Sequence, residues 1–333
     1  MLDLPTIWAG LLGFAVLAYV VMDGFDLGVG ILFSAFPERA DRDRMMNSVA
    51  PVWDGNETWL ILGGGGLFAV FPLAYSVLMT AFYAPLILML LALVFRGVAF
   101  EFRFKAGTET RRWDLAFFAG SLVATFCQGI VLGAFVQGIE TEGRSYAGGW
   151  FDWLTPFSVF TGLALVVGYA LLGACWINLK TDGALQARAR QLALRLNLGL
   201  LAGIGIASLW TPLFSEEIAA RWFTLPETLY LAPVPLAVLV ACWEVHHGLK
   251  TGREWSPFLY AIGLFALSFV GLAISLYPYV VPRSITLAQA AGPDTSLGFL
   301  LVGTIFLVPL ILAYTAYAYW VFRGKVVEGE GYH

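Results

Sequence analysis

Apolar residues run along this 333-residue chain in long stretches separated by short polar segments. Each stretch is about twenty residues, enough for a helix to cross a bilayer core of roughly 30 Å. The pattern predicts nine helices, at 7–34, 53–73, 76–102, 113–138, 155–180, 190–211, 227–248, 256–278 and 297–322. The stretches are continuously apolar and far longer than barrel strands, so helices are the expected spanning form. The expected fold is an all-α polytopic membrane protein with nine transmembrane helices. Eight of them suffice for two four-helix bundles, which leaves one peripheral helix. The longest predicted loops, 139–154 and 279–296, are too short for a soluble domain. Residues 1–333 are therefore expected to form a single transmembrane domain. The first run has no basic n-region, and Asp23 and Asp26 interrupt its far end. It is expected to persist as a helix, unlike a cleaved signal peptide.

Basic residues give an orientation. When loops are assigned alternately to two sides, fifteen Lys and Arg fall on one side, among them Arg39, Arg103, Arg188 and Lys325. The other side receives only Arg144, Arg221 and Arg283, while Arg96 lies inside a helix. The positive-inside rule then puts the N-terminus on the periplasmic face and the C-terminus in the cytoplasm of a bacterial inner membrane. Trp8, Trp53, Trp113, Trp150, Trp153, Trp222, Trp255 and Trp320 fall near predicted helix ends, where an interfacial belt would hold them.

Composition agrees with this class. The chain is 59% hydrophobic and 13% charged, with a mean hydropathy of +0.78. A soluble domain carries about 25% charged residues. The net charge of -4 is spread over short loops, and no basic patch with interleaved aromatics suggests nucleic acid. Cys127, Cys175 and Cys242 form no CxxC pair and lie in predicted helices, as packing cysteines do.

The polar residues are concentrated in the first three predicted helices. Asp23 and Asp26 stand at i,i+3 on one face of the first, among Gly24, Gly28 and Gly30. Asp54, Asn56 and Glu57 lie in the opening turns of the second, where a helix N-terminus favours negative charge. Arg96 and Glu101 occupy the inner half of the third. Five acids and one arginine are thus expected to converge on the cytoplasmic half of these helices. Carboxylates at membrane depth are expensive, by roughly 2.5 to 3.5 kcal/mol on insertion scales, and commonly mark ion or proton paths. One reading is a proton-conducting or proton-buffering cluster in which Arg96 holds a carboxylate ionised. The competing reading is a buried ionic network that only fixes packing. For Asp54 and Glu57, helix capping is an alternative. Glu101 alternatively reaches back toward the surface.

Other candidates are weaker. His246 and His247 end the seventh predicted helix beside Glu244, and His333 is the last residue. Histidines at a basic helix end suit the headgroup region better than haem ligation. No metal or cofactor ligands, and no catalytic residues, are expected in this chain. Met22, Met79 and Met89 are expected to pack. Gly63 to Gly66 lacks the Lys-Ser/Thr of a phosphate loop and suits close helix contact. Gln128 and Gln137 are placed to bond a neighbouring helix, with a quinone head group as the second choice.

Three segments carry a resemblance. They are Met22-Asp-Gly-Phe-Asp-Leu-Gly-Val-Gly30, Asn47 to Trp59 with its Trp53-Asp-Gly-Asn56 core, and Phe95-Arg-Gly-Val-Ala-Phe-Glu-Phe-Arg103. Together with the length and helix plan they resemble subunit II of cytochrome bd-type quinol oxidases. The Gly-Asn-Glu and Phe-Glu-Phe-Arg forms are similar to the cyanide-insensitive branch. The resemblance implies a heterodimer with subunit I, which carries two b-type haems, haem d and the quinol site. It implies quinol oxidation coupled to reduction of O₂ to water, with protons drawn from the cytoplasm. Positions matching Asp26, Asp54 and Glu101 are tied in the family to a proton route or to quinone and subunit contacts, and Arg96 matches the helix-3 arginine. The resemblance leaves room for a bound quinone and a small single-helix accessory subunit, within membrane lipid. Two other classes stay open on the residues alone: a proton-coupled secondary transporter, and a pure assembly scaffold.

Overall fold

The computed structural model describes residues 3–107 and 110–326. Its helices are α1 (Leu4–Leu32), α2 (Arg39–Val49), α3 (Trp53–Val70), α4 (Pro72–Ala81), α5 (Tyr83–Arg103), α6 (Arg111–Gln137) and α7 (Pro156–Lys180). There follow α8 (Gly183–Trp210), α9 (Glu216–Phe223), α10 (Glu227–Leu231), α11 (Pro233–Lys250), α12 (Trp255–Leu276), α13 (Leu287–Ala290) and α14 (Asp294–Val321). Among the described residues, eight helical segments are long and apolar enough to cross a membrane. They contain α1, α5, α6, α7, α8, α11, α12 and α14, and α4 is a shorter apolar helix. The second predicted helix is present as α3 but falls outside this class. Asp54, Asn56, Glu57 and five glycines dilute its apolar content.

Proline resets the helices in two places. Pro72 and Pro233 each take the first position of a helix, where the missing N–H costs nothing. The third predicted helix is two pieces, α4 and α5, divided at Phe82, with Pro85 in the first turn of α5. The seventh is likewise α10 and α11. Helix α8 begins at Gly183, before the predicted 190, because a helix can continue through Arg188 and Arg190 beyond its apolar run. The long loops hold small antiparallel hairpins. Strand β1 (Thr141–Glu142) pairs β2 (Ser145–Tyr146), and β3 (Tyr279–Val281) pairs β4 (Ile285–Thr286).

Helices α1, α3, α5 and α6 form one group, and α7, α8, α11 and α12 a second. The groups join where α7 packs against α1 and α6. This contact is close because glycines meet. A Cβ on Gly28 would overlap the Tyr169 carbonyl, and one on Gly173 would meet the backbone of Gly28 and Val29. Helix α14 is peripheral. Only Leu297 of its residues is buried.

The tryptophans are not all interfacial. Trp8 is buried and donates from Nε1 to the Leu297 carbonyl at 3.1 Å. Trp53 stacks on Phe100, with centroids 4.8 Å apart and planes 4° from parallel. Both serve packing instead of the belt predicted for them. Trp150, Trp255 and Trp320 are exposed near helix ends, as a belt requires.

Candidate functional site

The site forms where α1, α3 and α5 meet. Arg96 of α5 is fully buried and faces both aspartates of α1. Its Nη1 lies 3.2 Å from Asp23 Oδ1, and its Nη2 lies 4.0 Å from Asp26 Oδ2. Nη1 also lies 3.5 Å from Glu57 Oε2 on α3. The i,i+3 spacing of Asp23 and Asp26 lets one guanidinium meet both. Asp23 and Asp26 are fully buried, whereas the Glu57 side chain is 26% exposed. Trp53 and Phe100 cover the guanidinium, with its carbon 5.7 and 5.8 Å from their ring centroids. Gly120 of α6 lets α5 approach, since a Cβ there would press on the Ala92 carbonyl and the Arg96 backbone nitrogen.

Neutral side chains surround this ionic centre. Asn56 is buried and donates from Nδ2 to Asp26 Oδ2 at 2.7 Å and to the Met22 carbonyl at 3.3 Å. The Tyr319 hydroxyl of α14 donates to Asn56 Oδ1 at 2.8 Å. Gln128 donates from Nε2 to the Tyr19 hydroxyl at 2.7 Å, and the Tyr169 hydroxyl donates to Gln128 Oε1 at 2.9 Å. Tyr19 stands one helical turn before Asp23. Gln128 thus ties α6 to α1 and α7, and Gln137 accepts from Thr155, both as neighbour-helix contacts. Tyr19, Tyr169 and Tyr319 were not legible as site residues. Only Tyr19, at i,i+4 from Asp23, left a trace in the sequence.

Three of the five predicted acids converge on Arg96, and two do not. Asp54 is exposed on the outer side of α3. The Glu101 side chain is 67% exposed and pairs with Lys105 at 3.5 Å. Arg96 and Glu101 are five residues apart on α5, about 140° around the helix, so they cannot share a face. A separate ionic knot lies at the end of the bundle rich in basic residues. Arg103 donates to Asp114 at 2.5 Å and to Asp43 at 2.6 Å, joining α5, α6 and α2.

The glycine run also divides. Gly63 and Gly66 face Val16 and Leu12 of α1, as close helix contact requires. Gly64 and Gly65, with Gly55, face open space and leave bare backbone on the outside of α3. His247 stacks on Trp243 with planes 7° apart, beside His246 at the end of α11, and His333 lies outside the described residues. Among the described residues, no group of three or more His, Cys, Asp or Glu is placed to hold a metal ion. The three cysteines are buried and unpaired with one another.

Comparison with known proteins gives a consistent result. The family model described as cytochrome bd terminal oxidase subunit II matches residues 4–322. The chain is 31% identical to cytochrome bd-I ubiquinol oxidase subunit 2 of Escherichia coli K12, a match covering 97% of this chain and 95% of that one. It is 29% identical to cytochrome bd ubiquinol oxidase subunit 2 of Bacillus subtilis, covering 99% of each. In fold it is similar to a chain in the structure of bd oxidase from Geobacillus thermodenitrificans. That match has a TM-score of 0.79 at 19% identity and covers 96% of this chain and 99% of the other.

Proposed function

We propose, on the premise that this chain belongs to the cytochrome bd terminal oxidase subunit II family, that it is the haem-free half of a quinol:O₂ oxidoreductase. In this reading it draws cytoplasmic protons toward the oxygen-reducing site of subunit I. The observation that carries the proton role is the meeting of Arg96 with Asp23, Asp26 and Glu57. Three carboxylates against one guanidinium leave up to two charges uncompensated in a buried site. Such a site is held together by exchangeable protons. Glu57 reaches both the surface and Arg96, so it is the natural port of the cluster. Asp54, one turn nearer the start of α3 on its exposed side, is the entry group.

The Arg-rich end is taken as cytoplasmic, which makes residues 1–333 a single transmembrane domain with a periplasmic N-terminus. Helix α3 is then the ninth crossing, because its 18 residues span about 27 Å at 1.5 Å each. Its outer face, with Asp54 and the bare backbone of Gly55, Gly64 and Gly65, is where subunit I docks. A carboxylate and uncovered glycines suit a protein partner better than lipid tails. The residues present do not suit haem, since the two described histidines sit at the end of α11. The two b-type haems, haem d and the quinol site are assigned to subunit I, and no step is assigned to them in this chain.

The test is purification of the tagged chain from native membranes, followed by a reduced-minus-oxidised visible spectrum. Co-purifying haem b and haem d with quinol-driven O₂ uptake supports the oxidase. A colourless chain, stable alone, would contradict it and make the secondary transporter the working reading.

A further inference from the structure

Helix α14 is the least packed of the long helices, and polar contacts hold it at its ends. At one end the Leu297 carbonyl accepts from Trp8. At the other the Lys180 ammonium donates to the carbonyls of Phe322 and Gly324, the latter at 2.8 Å. Midway, Thr304 and Val308 border an apolar crevice of about 40 Å³ shared with α1 and α3. The only described polar side chain linking α14 to the acid centre is Tyr319, through Asn56.

The orientation of the Asn56 amide follows from its neighbours. The Met22 carbonyl can only accept, so the amide nitrogen must face it. That same nitrogen donates to Asp26 Oδ2. The amide oxygen is therefore turned toward Tyr319, whose hydroxyl must donate. The result is a one-way string of donors, from Tyr319 through Asn56 to Asp26. A string with this polarity ends on an accepting carboxylate and supports its ionised form. If the Tyr319 hydroxyl is lost, the buried amide oxygen has no partner. The amide nitrogen still faces the Met22 carbonyl and Asp26, but the amide is no longer polarised or held from its oxygen side, so its support of the ionised carboxylate weakens.

We propose that Tyr319 is a positioning residue for Asp26, acting through the Asn56 amide, and that it ties the seating of α14 to proton transfer in the acid centre. This rests on the reading of Asp26 as part of the proton route. The ring of Tyr319 packs edge-on against Phe25 and Trp176, at centroid distances of 6.4 and 6.2 Å. Tyr319→Phe keeps those contacts and removes the donor alone.

The experiment uses the intact two-subunit complex, with haem content as the assembly control and quinol-driven O₂ uptake measured across pH. Four variants are compared: Tyr319→Phe, Asn56→Ala, the two combined, and Asp26→Asn. Tyr319→Phe is expected to slow turnover by roughly two- to tenfold, the rate equivalent of one ordinary hydrogen bond, and to move the pH profile upward. In the Asn56→Ala background it should add nothing, because the string is already cut. A slowed Asp26→Asn with an unaffected Tyr319→Phe overturns the inference and leaves the proton route standing. Full additivity of Tyr319→Phe and Asn56→Ala also overturns it. An assembled Asp26→Asn complex with unchanged turnover and profile overturns the proton route itself. Should Tyr319→Phe prevent assembly, Tyr319→His keeps a ring with a donor. Recovery in Tyr319→His supports the hydrogen-bond role, and failure in both contradicts it.

Discussion

Arg96 and Asp23 meet at 3.2 Å in a place where neither touches solvent. Among the described residues, Arg96 is also the one cation set against Asp26 and Glu57. Its removal would strand two buried carboxylates. Breaking a buried pair from one side costs about 3–5 kcal/mol. Arg96→Leu is therefore expected to lower the yield and melting temperature of the complex sharply. Arg96→Lys keeps the charge but loses the planar fork that reaches several carboxylates, so it should fall between. Thermal unfolding of the solubilised complex, followed by loss of its visible spectrum, checks both.

The closest contact between the two helix groups depends on Gly28. Gly28→Ala would place a methyl on the Tyr169 carbonyl and force α1 from α7. Overpacking of this kind costs roughly 1–3 kcal/mol. Gly64→Ala, where a Cβ meets nothing within 4 Å among the described residues, should leave the fold of this subunit unchanged. If it instead weakens retention of the partner subunit on an affinity column, the outer face of α3 is the docking face. Complete retention in Gly64→Ala and in a bulkier Gly64→Leu would place subunit I elsewhere.

The segment after α14 is clasped by ionic contacts outside the membrane spans. Lys325 lies 2.5 Å from Glu254, and Arg44 lies 2.5 Å from Asp182 and also donates to the Val326 carbonyl. Hydrogen bonds from Lys325 and Gln186 hold the Glu254 carboxyl below its ordinary range, and the bond from Arg44 does the same for Asp182. Both values are lowered on folding, so their contribution is present above the ordinary carboxylate range of about 4 and is lost as pH falls through the lowered values. The clasp should stay closed at neutral pH and open only in stronger acid. Hydrogen exchange at residues 322–326 checks this, and Glu254→Gln should raise exchange there at neutral pH.

Much of this was readable in the residues, for physical reasons. Acids in an apolar run are conspicuous, and i,i+3 spacing put Asp23 and Asp26 on one face. Arg96 was recognisable as their partner because depth along a helix follows from residue count. Helical rotation was the weaker guide. It separates Glu101 from Arg96 on α5 and turns Asp54 outward while Asn56 and Trp59 turn inward. Tyr319 could not be found at all, since it meets Asn56 across 263 residues of sequence. Helix α2 escaped notice because Arg39-Ala-Asp-Arg-Asp-Arg44 has no apolar stripe, although Met45, Met46 and Val49 at its far end are buried.

The central claim is that protons enter the buried acids through Glu57. The most direct measurement is quinol-driven O₂ uptake by fully haem-loaded complexes carrying Glu57→Gln or Glu101→Gln. The account predicts that Glu57→Gln slows turnover by at least roughly tenfold, a barrier change of about 1.4 kcal/mol, while Glu101→Gln runs at the native rate. A Glu57→Gln complex with full haem content and native turnover would contradict it.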